Sequence, residues 1–360
     1  MAWTINNGKL YFNSVLYTGN GGTQSITGVG FQPDWVWLKS RTSTKDHMLF
    51  DAVRGVQKSI RTNQDIVEDT GTGYLTAFGT DGFTLGDNGK VNENSATFAS
   101  WNWLAAGTAP SNTYVVKVVS DTGNKYRFDD FGTSAVTLEI SEGGTFTFDQ
   151  SDSSNSGHPL RFSTTSDGSH GGGSEYTTGV TTNGTPGNAG AYTRITVAAS
   201  APTLYYYCTA HSGMGGQANT PVTNSFSNFA GSIQSNISPN TTSGFSVVTY
   251  TGAGSAGTIG HGLNAVPSMY VVKILSGRTG DWLVYHHAVS ADPQTDFLKL
   301  NAANAVADES TIWNDTAPTS SVFSVGTEAT VSGNSNTFVA YCFAEKQGYS
   351  KFGTYVGNAN

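Results

Sequence analysis

The residues best suited to chemistry lie in one short run, Tyr205-Tyr206-Tyr207-Cys208-Thr209-Ala210-His211-Ser212-Gly213-Met214-Gly215. A cysteine at a strand end, a histidine three residues on and a methionine three further converge when the chain makes one tight loop. Thiolate, imidazole and thioether are soft donors; two imidazoles and a thiolate in a near-trigonal plane, with a weak axial thioether, suit copper. The set needs a second histidine from an earlier strand. His158, in Asn155-Ser156-Gly157-His158-Pro159-Leu160-Arg161-Phe162, follows the strand Thr145 to Phe148 and is placed to supply it. His170, inside the glycine-rich run from Asp167 to Gly190, is its rival. The alternative is a metal-free loop in which Cys208, His211 and Met214 only pack and hydrogen-bond.

Other reactive residues carry less. His286 and His287 are adjacent in a strand, so they are expected on opposite faces and unable to chelate together. Asp46, His47 and Asp51 suggest a catalytic pair, but no G-x-S-x-G elbow accompanies them, and neither a P-loop nor a zinc-hydrolase pattern is found. Paired carboxylates of glycosidase type come from distant strands and leave no local motif. Cys342, between Tyr341 and Phe343, reads as a buried structural thiol. The expectation is a protein that is not an enzyme, with no catalytic residues and no cofactor besides copper.

A ligand loop needs rigid strands to hold it, and the composition favours strands. Only 12% of the 360 residues are charged, about half the usual share, while 44 are glycine and 12% aromatic. Such a chain lacks the Lys and Glu that clothe helices, yet has ample apolar surface for a core. The net charge of −8 comes from 26 acids and 18 scattered bases, which argues against a nucleic-acid surface. Met1 to Asn7 show no basic region leading into an apolar core, and no long apolar run occurs, so neither a signal peptide nor a membrane span is expected. Two cysteines are too few for a disulfide framework.

Period-2 segments rich in Val, Thr, Tyr and Phe recur between Gly, Asn and Asp, which predicts an all-β chain. Helical signal is confined to Asp51 to Arg61 and Ala302 to Glu309. Four blocks recur in the same order. Val15-Leu16-Tyr17-Thr18-Gly19 matches Val248-Thr249-Tyr250-Thr251-Gly252, and Pro33-Asp34-Trp35-Val36-Trp37-Leu38-Lys39 matches Pro267-Ser268-Met269-Tyr270-Val271-Val272-Lys273. Gly82 to Gly86 echoes Val322 to Gly326, and Thr97 to Trp101 echoes Thr337 to Tyr341. This is a duplicated domain. The predicted division is a first β-sandwich repeat at 1–106, a middle β-sandwich at 113–217, a linker at 218–243, a second repeat at 244–346 and a C-terminal strand at 347–360, with 105–112 as a further linker. Trp35 with Trp37, and Trp101 with Trp103, place paired rings on one face, which core packing explains better than a sugar platform.

Two resemblances follow from these residues. The stretch from Thr113 to Gln217, with its Tyr-rich strand running into Cys-x-x-His-x-x-Met, resembles the cupredoxins, the small blue copper proteins. It implies a Greek-key β-sandwich with His158, Cys208, His211 and Met214 as copper ligands and the shorter form of the ligand loop; the Asp167 to Gly190 insertion departs from compact members. The repeats, through Gly30-Phe31-Gln32-Pro33-Asp34-Trp35-Val36-Trp37-Leu38-Lys39-Ser40-Arg41, Leu49-Phe50-Asp51-Ala52-Val53-Arg54-Gly55 and Asp81 to Gly86, resemble modules of uncharacterised virion proteins of tailed, especially marine, bacteriophages. That likeness implies a virion structural protein assembled in the host cytoplasm. Its role would be a tail fibre or tail-associated receptor-binding component, with capsid decoration on the head as the alternative and a copper-binding redox protein as the third. The implied partners are other virion proteins, copies of itself as a homo-oligomer and a host cell-surface receptor, without nucleic acid or membrane insertion.

Overall fold

The structure, a computed structural model, describes residues 4–107 and 109–358. Met1 to Trp3 of the leader reading, Thr108 of the 105–112 linker, and Ala359 and Asn360 of the C-terminal strand lie outside the described residues. The chain is all-β, with several sheets and three short α-helices, Gly89–Asn92, Ser310–Trp313 and Ala329–Ser332, among the described residues. It divides into two compact units, Met1–Gly107 with Ile233–Asn360, and Thr108–Ser232. The two repeats therefore share one unit, where separate domains were expected.

In the first repeat, five strands pair in the order Phe12–Thr18, Thr97–Trp103, Trp35–Ser40, Met48–Asp51, Ile60–Arg61. A three-stranded sheet, Gln24–Thr27, Gly82–Leu85 and Leu75–Gly79, accompanies it. Strand side chains alternate, and here both faces of the larger sheet are apolar. Val36, Leu38, Met48 and Phe50 join a core with Ile26 and Phe83 from the smaller sheet. Trp35 and Leu49 point the other way, into a core shared with Phe245, Val271, Trp282 and Tyr341 of the second repeat.

The second repeat reproduces the pairing. Phe12↔Trp103 through Thr18↔Thr97 becomes Phe245↔Phe343 through Thr251↔Thr337, and Trp35↔Trp103 becomes Met269↔Phe343. Tyr17 stacks on Phe98 at 5.1 Å and donates to the Val91 carbonyl at 2.7 Å; Tyr250 stacks on Phe338 at 5.0 Å and donates to the Val331 carbonyl at 2.7 Å. The shared core contains Trp35 ring contacts to Tyr341 at 5.5 Å and Phe245 at 6.0 Å. The paired tryptophans are core on the Trp35 side, while Trp37 and Trp103 are only partly buried against the same cluster.

Polar groups cross the same boundary. Asp51, fully buried, accepts from Arg54 Nε at 2.6 Å and from the Tyr341 hydroxyl at 2.7 Å, and Arg54 also pairs with Glu68 at 2.7 Å. Trp282 Nε1 donates to the Arg61 carbonyl at 2.9 Å. Lys273, also buried, donates from Nζ to the carbonyls of Asp65 at 2.9 Å and Gly280 at 2.7 Å.

Several local readings change. Asp51 to Arg61 forms no helix, because Gly55 and Gln57 adopt positive φ (93° and 63°) and Ile60–Arg61 joins the sheet. Near Ala302 to Glu309, the helix begins only at Ser310. The 218–243 stretch is not a plain linker: Ser235–Asn240 pairs with Phe245 to Tyr250 and buries Ile237, and Phe226–Asn228 forms a short strand. The expected C-terminal strand does not form through residue 358; a turn joins Lys346 to Ser350, and Phe352 packs its ring 6.2 Å from Phe343.

The Thr108–Ser232 unit is a two-sheet sandwich. Five strands run in the order Asn124–Phe128, Ser111–Ser120, Thr145–Asp149, Tyr192–Thr196, Val180–Asn183, and four in the order Leu138–Glu139, Gly216–Asn219, Leu204–Cys208, Leu160–Ser163. Tyr114, Phe128, Phe148, Phe162 and Tyr206 are fully buried and in ring contact. No helix among the described residues is long and apolar enough to cross a membrane.

Burial lowers the Lys273 ammonium pKa to about 8, against opposing raises from Asp65 and Asp281. An unfolded lysine titrates at about 10.4, so between these values Lys273 holds more of its proton in the unfolded chain, and its own contribution to stability rises with pH by at most about 1.4 kcal/mol per unit. Other buried groups, Cys342 among them, titrate in the same window with the opposite sign, so the effect is read as a difference: urea unfolding is expected to show the native protein gaining stability relative to Lys273→Met as pH rises. Equal slopes would contradict the burial of a charged ammonium.

Candidate metal centre

The centre follows from one antiparallel register. Leu160 pairs with Cys208 at the ends of two strands, and the Thr209 N–H donates to the Pro159 carbonyl at 3.1 Å. The residues before Leu160 and after Cys208 therefore run side by side, and His158 meets the Cys208–His211 loop. Cys208 Sγ lies 3.9 Å from His158 Nδ1 and 3.8 Å from His211 Nδ1, and the imidazole centroids are 4.6 Å apart. All three donor atoms fall within 4.8 Å of one another. With metal–sulfur and metal–nitrogen bonds of about 2.3 and 2.0 Å, a trigonal site needs about 3.7 Å between S and N. The donor triangle is therefore close to the size of a bound soft ion. Its chemistry fits as well: one buried thiol and two imidazoles, with no carboxylate in the cluster.

Neighbouring groups fix the backbone of these ligands. The His158 N–H donates to the Asn155 carbonyl at 2.8 Å, while its own carbonyl accepts from the Tyr126 hydroxyl and from Gln150 Nε2, both at 2.9 Å. Gln150, also buried, accepts from the Leu160 N–H at 3.2 Å. Burial first, then the adjacent Cys208 thiol, push the Tyr126 phenol above its ordinary range. Burial, reinforced by His211, lowers the His158 imidazole, which favours the neutral form that can offer a lone pair. The loop after His211 turns at Gly213, whose φ of +70° favours glycine; its N–H donates to Asp167 at 2.9 Å, and Lys125 donates to its carbonyl. Met214 follows, buried, with its carbonyl accepting from the Tyr126 N–H at 3.0 Å.

His170 is not one of the clustered donors. The glycine-rich insertion lays Gly168 against the Tyr207 ring so closely that a Cβ would sit 2.4 Å from it. From there His170 Nε2 reaches the Cys208 carbonyl at 3.0 Å and donates to it, holding the cysteine backbone while leaving the sulfur to His158 and His211. Tyr126, Gln150 and Asp167 left no mark in the sequence, because each comes from a distant segment and acts through backbone groups.

The remaining candidates lie outside this cluster. His286 ends its strand, so the chain turns and the His286 and His287 rings sit 5.3 Å apart instead of on opposite faces. Asp46 is ion-paired to Arg61 at 3.4 Å and Lys90 at 3.5 Å, and Asp51 is the buried partner of Arg54. Cys342 is fully buried, which pushes its thiol up and makes it inert.

Fold and site together define an all-β protein in which a duplicated sheet module forms one unit and a sandwich carrying a His–Cys–His cluster forms the other. The chain belongs to the family described as a domain of unknown function, DUF7483, which matches residues 7–125 and 217–360. The intervening residues, including His158, Cys208, His211 and Met214, lie outside the matched segments. No curated protein and no solved structure matches the chain.

Proposed function

We propose that this is a non-enzymatic structural protein of a tailed-phage particle, most consistent with a tail fibre or tail-associated adhesion component. One observation supports this reading above others. The segments that carry the likeness to phage modules, Gly30 to Arg41 and Leu49 to Gly55, supply the strands and the Asp51–Arg54 pair of the shared core. What resembles the virion modules is thus the part of the first repeat that supplies the shared core. Partners on this reading are other virion proteins, further copies of the chain and a host surface receptor. Immunogold electron microscopy with antibodies against the full chain is expected to label the tails of particles from the encoding phage. Label on the heads would favour capsid decoration, and unlabelled particles would contradict both.

The donor triangle favours a second reading that is compatible with the first: the sandwich unit holds copper through His158, Cys208 and His211, with Met214 as the axial candidate. Bound copper would supply a stable thiolate–metal link and one-electron redox chemistry. The chain's own part is to keep the thiol buried and the imidazoles oriented through Tyr126, Gln150 and His170. One equivalent of Cu(II) is expected to produce an intense visible thiolate band, lost in Cys208→Ser and retained in Cys342→Ser. It should also stabilise the fold by about 2.7 kcal/mol at a hundredfold excess over the dissociation constant. A band that survives Cys208→Ser, or no band at all, would contradict this reading.

A further inference from the structure

The unit formed by the repeats contains two adjoining cavities, about 390 and 150 Å³, whose walls share Trp35, Trp37, Met269 and Phe343. The larger falls within the range of about 300–1,000 Å³ usual for small organic ligands, and such sites are mostly apolar with a few placed polar groups. Among the described residues, no Asp, Glu, Lys, Arg or His lines either cavity. A charged ligand would lose its hydration there without an opposite charge to replace it.

Three residues that line the larger cavity each carry a buried polar atom without a hydrogen-bond partner: Trp35 Nε1, Ser243 Oγ and the Tyr349 hydroxyl. A buried unpaired donor costs stability, and groups of this kind are normally satisfied in native proteins. An indole N–H only donates, so whatever satisfies Trp35 must offer an acceptor oxygen. Ser243 and Tyr349 can both donate and accept. The unmet hydrogen-bonding capacity thus belongs to three residues of a mostly apolar, aromatic lining.

We infer that this trough is a binding site for a neutral amphiphile: an apolar body lying against Trp37, Trp103, Met269 and Phe343, with a carbonyl or hydroxyl head at Trp35, Ser243 and Tyr349. The site belongs to the repeats and does not involve the copper cluster or depend on the virion reading, since it concerns the isolated chain.

The test is a fluorescence titration of the full chain with prodan, a neutral naphthalene ketone whose emission shifts blue in apolar surroundings. Saturable uptake of one probe per chain is expected. Tyr349→Phe and Ser243→Ala each keep the apolar wall and remove one hydroxyl, and each is expected to weaken uptake about five- to tenfold. Met269→Trp fills both cavities and is expected to abolish it; if that variant does not fold, the two hydroxyl deletions decide alone. No saturable uptake by the native chain, or affinities unchanged in both hydroxyl variants, would overturn the inference. So would sedimentation showing a dimer that excludes prodan, which would assign the trough to a second copy.

Discussion

The repeats depend on one constraint: their larger sheets are apolar on both faces. A sheet of this kind cannot leave either face in water, and in the first repeat the small sheet covers only one. In the first repeat, Val36 and Leu38 are covered by the Gln24–Thr27 sheet, while Trp35 and Leu49 are covered only by the second repeat. Duplication supplies that cover, because the second copy presents the same apolar outer face through Phe245, Val271 and Tyr341. Aromatic pairs contribute about 0.5–1.5 kcal/mol each beyond area burial and tolerate some sliding. The Asp51–Arg54 pair with Tyr341 tolerates less, since breaking a buried ion pair costs about 3–5 kcal/mol. Apolar burial thus drives the association, and the buried carboxylate fixes its register.

The His158–Cys208–His211 cluster rests on a different kind of constraint. Its donors come from two places that are fifty residues apart, His158 and the Cys208–His211 loop, and the Leu160↔Cys208 pairing makes them neighbours. Hydrogen bonds to backbone atoms complete the arrangement: Tyr126 and Gln150 on the His158 carbonyl, His170 on the Cys208 carbonyl, Asp167 on the Gly213 N–H. Each spares the ligand atoms themselves. The trough between the repeats has the opposite character, since three of its lining residues keep a buried polar atom without a partner.

Much of this was legible in the chain, for identifiable reasons. Period-2 patterning revealed the strands because Val36 and Trp35 alternate regardless of what covers them, and the repeat blocks survived because Tyr17 and Tyr250 do the same job in both copies. Cys208, His211 and His158 were readable because soft donors at short spacing have few other uses. The union of the repeats was not, since a tryptophan buried against its own sheet and one buried against a second copy look alike in sequence. Ser235–Asn240 was hidden by its Ser, Asn and Pro, residues typical of linkers, although only Ile237 needed to be apolar for the strand to cover its neighbour. His287 escaped because strand alternation stops where the strand does.

The central claim, that the two repeats are one cooperative body held by the face each cannot cover alone, is tested most directly by hydrogen-exchange mass spectrometry of Leu49→Ala. Leu49 belongs to the first repeat, is almost fully buried in the shared core, and its truncation costs about 2–5 kcal/mol. The account predicts faster exchange in Met269–Ile274 and Thr337–Phe343 of the second repeat, alongside Trp35–Ser40 of the first. Acceleration confined to the first repeat would contradict it.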